Sequence, residues 1–332
     1  MSASGCYNVK YKNSEKDMAL TGAVSFLRCK GCRCLCPSLI EKFLVPPVSV
    51  FDTKQGYWQR RKKEWKAIGL QSEVGRADGL LGGGLKDLSK KQGSNLTGTS
   101  VFDPVLCEVV YNWYCPNNGT VFDPFAGGSV RGVVAEMLGR KYIGIDLSEK
   151  QIDANQMNAD KLGVCPVWHC DDSRNADSYI DDETADLLFS CPPYHNLEKY
   201  SNHPLDLSNM NYADFVEAYT DIIATACRKL KQNRFAVWVI GDIRDTKGVY
   251  RDFPGVTKRI FKDNGLQLYN ESILLEQYGT APMRAGKQFT AKRKVVKVHQ
   301  LVLVFYKGDI KKIEPKEDFA FADLKSIKGG SG

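Results

Sequence analysis

The tetrapeptide Cys191-Pro192-Pro193-Tyr194 closes the apolar run Ala185-Asp186-Leu187-Leu188-Phe189-Ser190, and its residue types suit chemistry on an amine attached to a planar ring. Each proline fixes its own φ and lacks an amide donor, and the residue before a proline is pushed to extended geometry. A buried strand that ends this way becomes a rigid ledge whose carbonyls face outward and can accept N–H bonds. Tyr194 adds a flat face on which a ring can stack. Taken alone, such residues also occur in plain loops and in proline-recognition segments, so the reading depends on what else the chain brings to the same edge.

A second segment, Gly119 to Asp146, supplies that context. Val121 and Phe122 read as a short buried strand and Asp123 to Ser129 as a tight glycine-rich turn. Val130, Val133, Val134, Met137 and Leu138 then recur on one helical face. Gly139 ends the helix, Tyr142 to Ile145 form a second strand, and Asp146 closes it. Gly127 and Gly128 let the backbone approach a ligand closely. An acid about 20 residues past such a turn, at a strand end, suits ribose hydroxyls. The segment reads as a nucleoside-binding βαβ unit. No Gly-Lys-Ser/Thr follows the glycines, which excludes a phosphate-loop NTPase, and a clean dinucleotide fingerprint is absent. A glycine turn that merely packs helix on strand is the weaker reading, because acid, turn and strands agree in register.

Together these segments resemble the S-adenosylmethionine-dependent amino-methyltransferases of DNA. Asp123-Pro124-Phe125-Ala126-Gly127-Gly128-Ser129 is similar to their Asp-Pro-Phe-x-Gly-x-Gly cofactor motif, with Ser129 in place of the third glycine. Ser190-Cys191-Pro192-Pro193-Tyr194 is similar to their (Asp/Asn/Ser)-Pro-Pro-(Tyr/Phe) catalytic motif. Val101 to Glu108 takes the place of the helix that precedes the cofactor motif, and Asp171-Asp172-Ser173, after the short strand Pro166-Val167-Trp168, resembles an adenine-binding Gly-Asp-Ser. The resemblance covers roughly residues 100–307. More loosely the whole chain resembles phage-encoded DNA methylases, including Pro46-Pro47-Val48-Ser49-Val50 and Gln55 to Arg60.

The resemblance implies a Rossmann-like α/β methyltransferase fold, a mostly parallel sheet with a final antiparallel strand, and an N-terminal appendage. It implies S-adenosylmethionine as cofactor, bound by Phe102, Asp123, Phe125, Ala126, Gly127, Gly128, Asp146, Asp172 and Ser173. Catalysis would fall to Ser190, Cys191, Pro192, Pro193 and Tyr194, with no metal. The partner would be double-stranded DNA with its target base flipped out. A homodimer is compatible with the resemblance, and a nuclease partner is left open. One departure is Cys191, where the family has Asp, Asn or Ser to accept a bond from the target amine. A thiol is a weak acceptor, so either the Pro192 carbonyl carries more of that work or Ser190 helps. Serine there goes with cytosine N4 and Asp or Asn with adenine N6; cysteine is nearer serine in size, a slight lean to cytosine that leaves the base open. The competing readings are an RNA-base or protein-glutamine methyltransferase, a C5-type enzyme with Cys191 as nucleophile, and an inactive fold that only binds DNA.

The chain has 332 residues, room for one catalytic domain and an appendage, with a net charge of +7 that suits a polyanion without demanding one. No stretch is apolar and long enough to span a membrane and no signal-peptide core opens it, so the expectation is cytoplasmic, in the host if phage-encoded. Eleven cysteines then read as reduced thiols. Cys29, Cys32, Cys34 and Cys36 could bind zinc, although paired knuckle spacing is absent and a reduced cysteine-rich turn is the plainer reading.

Four regions are expected: a cysteine-rich and basic/aromatic appendage over 1–76, a Gly/Ser-rich linker over 77–100, the catalytic domain over 101–308, and a charged, disordered tail over 309–332. Within 41–76, Tyr57, Trp58 and Trp65 alternate with Lys and Arg. That pattern suits phosphate contact with base stacking, or an ordinary amphipathic helix with its tryptophans inward. Helices are expected over 211–230 and 253–264, strands over 234–240, 268–275 and 299–306. A basic loop over 278–298, carrying Arg284, Lys287, Lys292, Arg293, Lys294 and Lys297, is a candidate DNA-contact element or a solvated charged hairpin.

Overall fold

The computed structural model describes residues 39–70, 102–195, 203–276, 278–279, 281–319 and 321–324. The chain divides into two compact units, Met1–Pro47 and Val48–Gly332. In the first, the described residues include a short helix, α1 (Leu39–Phe43). The Cys29–Cys36 cluster and the 77–100 linker lie outside the described residues.

The second unit is built on one eight-stranded sheet. Its strands are β1 (Val50–Asp52), β2 (Thr120–Asp123), β3 (Lys141–Asp146), β4 (Val167–Cys170), β5 (Ala185–Ser190), β6 (Leu230–Ile240), β7 (Leu266–Leu275) and β8 (His299–Lys307). Their spatial order is β1-β7-β8-β6-β5-β2-β3-β4. All neighbours pair in parallel except at β8, which runs antiparallel to both β6 and β7. This is the expected Rossmann-like sheet. The chain winds outward from β2 through β3 to β4, then returns to place β5 on the other side of β2. The reversal makes a topological switch point, and ligands of open α/β sheets bind outside the carboxyl ends of the strands there.

The central strands read as continuous apolar runs because both faces are covered. Every residue of β5 is buried. The charge within that run, Asp186, accepts bonds from the Thr120 amide at 3.0 Å and the Lys231 ammonium at 2.9 Å, and also pairs with Arg234. Burial would raise the pKa of this carboxyl, but those donors outweigh it and hold it below its ordinary value.

Helices α2 (Gly56–Ala67), α3 (Pro104–Tyr114), α4 (Val130–Met137), α5 (Glu149–Leu162), α6 (Tyr212–Lys229), α7 (Phe253–Asp263) and α8 (Ala281–Lys292) complete the unit. Most have legible caps: Asp103 caps α3, Ser148 caps α5 and Asn211 caps α6 through their side-chain oxygens. On α6, Phe215, Tyr219, Ile222 and Ile223 share one buried face that packs in the core with Trp238, Phe253 and Phe261.

Three expectations about organisation are corrected, and one choice between two readings is decided. Residues 48–70 belong to the larger unit, since β1 pairs with β7 (Val50↔Ile273 to Asp52↔Leu275). In α2, Trp58 and Trp65 are fully buried, and their indole N–H groups donate to Asp103 and Glu108. Those rings are therefore unavailable for base stacking, and the amphipathic-helix reading holds for them. In the tail, Leu324 is buried. Its alternating charges suggested solvation, but the Ala322 amide donates to buried Glu108, its carbonyl accepts from Arg61, and Lys316 donates to the Cys115 carbonyl. Finally, the 278–298 segment is not a loop throughout, because α8 occupies its centre.

Candidate active site

The cofactor motif and the ledge meet because β2 and β5 are parallel neighbours, in register at Val121↔Leu187 and Phe122↔Leu188. Their carboxyl ends carry Asp123 and Ser190. Both residues are fully buried, and the Ser190 hydroxyl donates to Asp123 Oδ1 at 2.5 Å. The same oxygen accepts from the Phe125 amide at 3.1 Å. Oδ2 accepts from Arg131 Nε at 2.5 Å and from the Tyr142 hydroxyl at 2.7 Å. Four donors thus surround one carboxylate, as a buried charge requires.

Asp123 and Ser190 are thus tied to each other at the carboxyl ends of β2 and β5. Asp123 is a hub that joins turn, helix and both strands. Ser190, expected as a possible helper for the target amine, instead spends its proton on Asp123 and holds the base of the ledge. Arg131 completes the hub by donating to the carbonyls of Phe125 and Ala126, at 2.6 and 3.0 Å, and by lying 4.5 Å over the Phe102 ring. Burial works against its charge, yet Asp123 more than compensates and its pKa is raised.

The turn itself is pinned to β3. The Ala126 amide donates to the Ile145 carbonyl at 3.0 Å. A Cβ on Gly144 would stand 2.7 Å from the Tyr142 ring and 2.8 Å from the Ala126 methyl, so only glycine lets turn and strand come this close. Gly127 has φ +51°, a left-handed conformation that favours glycine. Its amide donates to Asp146 Oδ2 at 2.9 Å, and its carbonyl accepts from Asn155 of α5 at 2.7 Å. Asp146 sits half-buried at the end of β3, where it also accepts from the Ser148 amide. Desolvation raises its pKa against the pull of those two amides.

Asp172 is bound to Arg174 at 2.6 Å, and the Ser173 hydroxyl donates to the Pro124 carbonyl. Ser173 therefore ties the β4 exit to the cofactor turn. The neighbouring Asp171 accepts from the Tyr179 hydroxyl at 2.7 Å, and that ring stacks on His169 with centroids 4.1 Å apart. Phe102 packs edge-on against Phe189 of β5, with centroids 5.6 Å apart.

On the ledge, Pro192 is buried, while Cys191, Pro193 and Tyr194 are half-buried. The Tyr194 ring lies over Gly241, just past β6, with ring atoms 3.7 and 3.8 Å from where a Cβ would stand. Its hydroxyl is 3.7 Å from Cys191 Sγ. The ledge is held at its exit by buried His195, whose Nε2 is 3.0 Å from the Met210 carbonyl. His195 itself has φ +49°, an uncommon backbone for a residue with a side chain. Arg131, Asn155, Gly241 and His195 escaped the sequence reading.

A nucleoside cofactor fits what is present: a glycine turn with a left-handed residue at Gly127, a half-buried acid at the next strand end, and an acid-aromatic cluster at the end of β4. Residues 87–157 match the N6/N4 DNA methylase family. The match spans the glycine turn and both flanking strands and ends before the ledge. Over those residues the chain is similar to DNA methylases. No curated protein matches it.

Among solved structures, TrmN from Thermus thermophilus aligns at 17% identity over 64% of this chain and 51% of its own, with a TM-score of 0.44. This chain thus spans about half of that protein. A SAM-dependent methyltransferase from Methanosarcina mazei aligns at 12% identity over 60% of this chain and 96% of its own, TM-score 0.41. A second Thermus thermophilus protein, provisionally named a DNA modification methylase, aligns at 15% over 44% of this chain and 53% of its own, TM-score 0.32. Likenesses this low bear no weight on substrate or activity. No helix among the described residues is long and apolar enough to cross a membrane.

Proposed function

We propose that the chain methylates the exocyclic amine of cytosine (N4) or adenine (N6) in double-stranded DNA. The observation that carries this reading is the Ser190–Asp123 bond, which seats an amine-accepting ledge directly on the cofactor turn at the switch point of the sheet. The match of residues 87–157 to DNA methylases supports DNA as the substrate class.

When bound, S-adenosylmethionine supplies a methyl group on a sulfonium, electrophilic enough for direct attack by nitrogen. The chain's own contribution is positioning. Tyr194 stacks the extruded base, while the Pro192 carbonyl and residue 191 accept the amine N–H bonds. Those bonds turn the nitrogen lone pair toward the cofactor side of the site. Gly127 and Gly128 give the cofactor close backbone contact, Asp146 accepts its ribose hydroxyls, and the Asp171–Asp172 end of β4 meets its adenine. No covalent intermediate is required, and Cys191 acts as a small weak acceptor.

The test is transfer of radiolabelled methyl from S-adenosylmethionine into unmethylated duplex DNA, with tRNA, rRNA and protein offered separately. Label in DNA alone supports the reading. Label confined to RNA or protein overturns it.

A further inference from the structure

The carboxyl ends of β6 and β7 carry two projections on the same edge of the sheet as the ledge. The first is a hairpin after β6. Arg244 and Tyr250 form its bridge, the Asp245 amide donates to the Val249 carbonyl, and the Arg244 guanidinium stacks 3.6 Å over the Tyr250 ring. The second is α8, between β7 and β8. The Lys294 ammonium lies against Gly248 of the hairpin, in the space a side chain there would fill. The two projections therefore adjoin.

Helix α8 is unlike the other long helices. Ala281 alone of its residues is buried, and an apolar cavity of about 500 Å³ opens beside it, lined by Tyr278, Ala285, Phe289, Val295 and Val298 among others. Val249, Tyr250, Tyr278, Met283, Phe289 and Val295 are all exposed. Clustered exposed apolar side chains mark a surface that meets a partner. Charge identifies the partner's sign: residues 278–298 carry Arg284, Lys287, Lys292, Arg293, Lys294 and Lys297 with no Asp or Glu, almost matching the chain's net +7.

We infer that α8 and the 243–251 hairpin together form the duplex-binding surface of this protein. Arg284, Lys287, Lys292 and Arg293 contact phosphates, and Phe289 and Met283 lie against the bases in a groove. The inference rests on DNA being the substrate. An anionic membrane would also attract a basic helix with exposed apolar residues, but the position beside the ledge favours the molecule whose base must enter the site.

The test is binding of a fluorescent duplex of mixed sequence, about three helical turns long, between roughly 50 and 200 mM salt. Each lost phosphate contact flattens the salt slope by about 0.9. R284Q/K287Q/K292Q should therefore flatten it by about 2.7, and its affinity should fall about 40-fold less over that salt range than that of the unmodified protein. R284K/K287R/K292R should restore the slope. F289A should weaken binding with the slope unchanged, because an apolar groove contact releases no counterions. K141Q/K311Q/K312Q, on the opposite edge of the sheet, should leave the slope intact. A thermal shift with S-adenosylmethionine reports whether each variant is folded.

If the unmodified protein binds duplex but the α8 variant keeps its full slope, this inference falls and the proposed function stands. If the unmodified protein binds no duplex, both fall. Loss of binding to anionic vesicles in the α8 variant, with duplex affinity untouched, would also overturn the inference.

Discussion

Replacing Arg131 with methionine leaves the Asp123 carboxylate without its countercharge in a fully buried position. The side chain of Arg131 is 5% exposed and that of Asp123 0%. Breaking a buried pair by removing one partner costs about 3–5 kcal/mol, since the remaining charge is uncompensated. The three donors that stay, Phe125, Ser190 and Tyr142, hold the cost within that range. At about 2 °C per kcal/mol for a chain of this size, R131M should melt about 6–10 °C lower. Replacing both partners removes the unpaired charge, so D123N/R131M should be less destabilised than the sum of D123N and R131M by about 1–3 kcal/mol. The assay is urea unfolding of the four proteins, followed by tryptophan fluorescence and circular dichroism. The turn should loosen as well, because Arg131 holds two of its carbonyls, and cofactor affinity in R131M should fall even at temperatures where the protein is folded. An R131M loss below about 1 kcal/mol, or additive effects in the double variant, would refute the hub.

The remaining expectations follow from the same geometry. D146N should weaken S-adenosylmethionine binding by about 10- to 150-fold in a calorimetric titration, the worth of about 1.5–3 kcal/mol for bonds to a charged group. Y194A should lower kcat/KM for DNA methylation by about 5- to 150-fold, the cost of losing one stacked base, while C191S keeps methyl transfer. An inactive C191S with intact cofactor binding would make the thiol a nucleophile. The depressed pKa of Asp186 gives stability that is present above the ordinary carboxylate value near 3.9 and is lost as pH falls below it. The stability gap between the unmodified protein and D186N should therefore be largest at neutral pH and close as pH drops from about 4 toward the folded-state pKa, read from melting curves between about pH 7 and pH 3.

Much of this site could be read in the chain. The glycine turn, the helix over 130–137 and the strand ending at Asp146 have local signals, namely periodicity, punctuation and turn residues, and they formed where expected. The adjacency of β2 and β5 has no such signal, because it depends on the order of strands in the sheet. Arg131 was hidden by its own helix: the apolar face at 130, 133 and 134 implied that its neighbour pointed to solvent, whereas it folds back onto Asp123. Its signal was a lone charge eight residues after a buried acid. Glu108 is a second fully buried acid. Its carboxylate draws α2 and the tail inward, so segments that look solvated by composition are fastened by one buried acid. In the 278–298 segment, Pro282 and Gly286 masked a helix whose other residues are mostly good helix formers.

The central claim is amine methylation of a DNA base at the ledge. Its most direct test is to incubate the protein with unmethylated duplex DNA and S-adenosylmethionine, digest the DNA to nucleosides, and identify the products by mass spectrometry. N4-methylcytosine or N6-methyladenine is the predicted result and names the target base. 5-Methylcytosine, or no modified base from DNA of mixed sequence by protein that binds its cofactor, would contradict it.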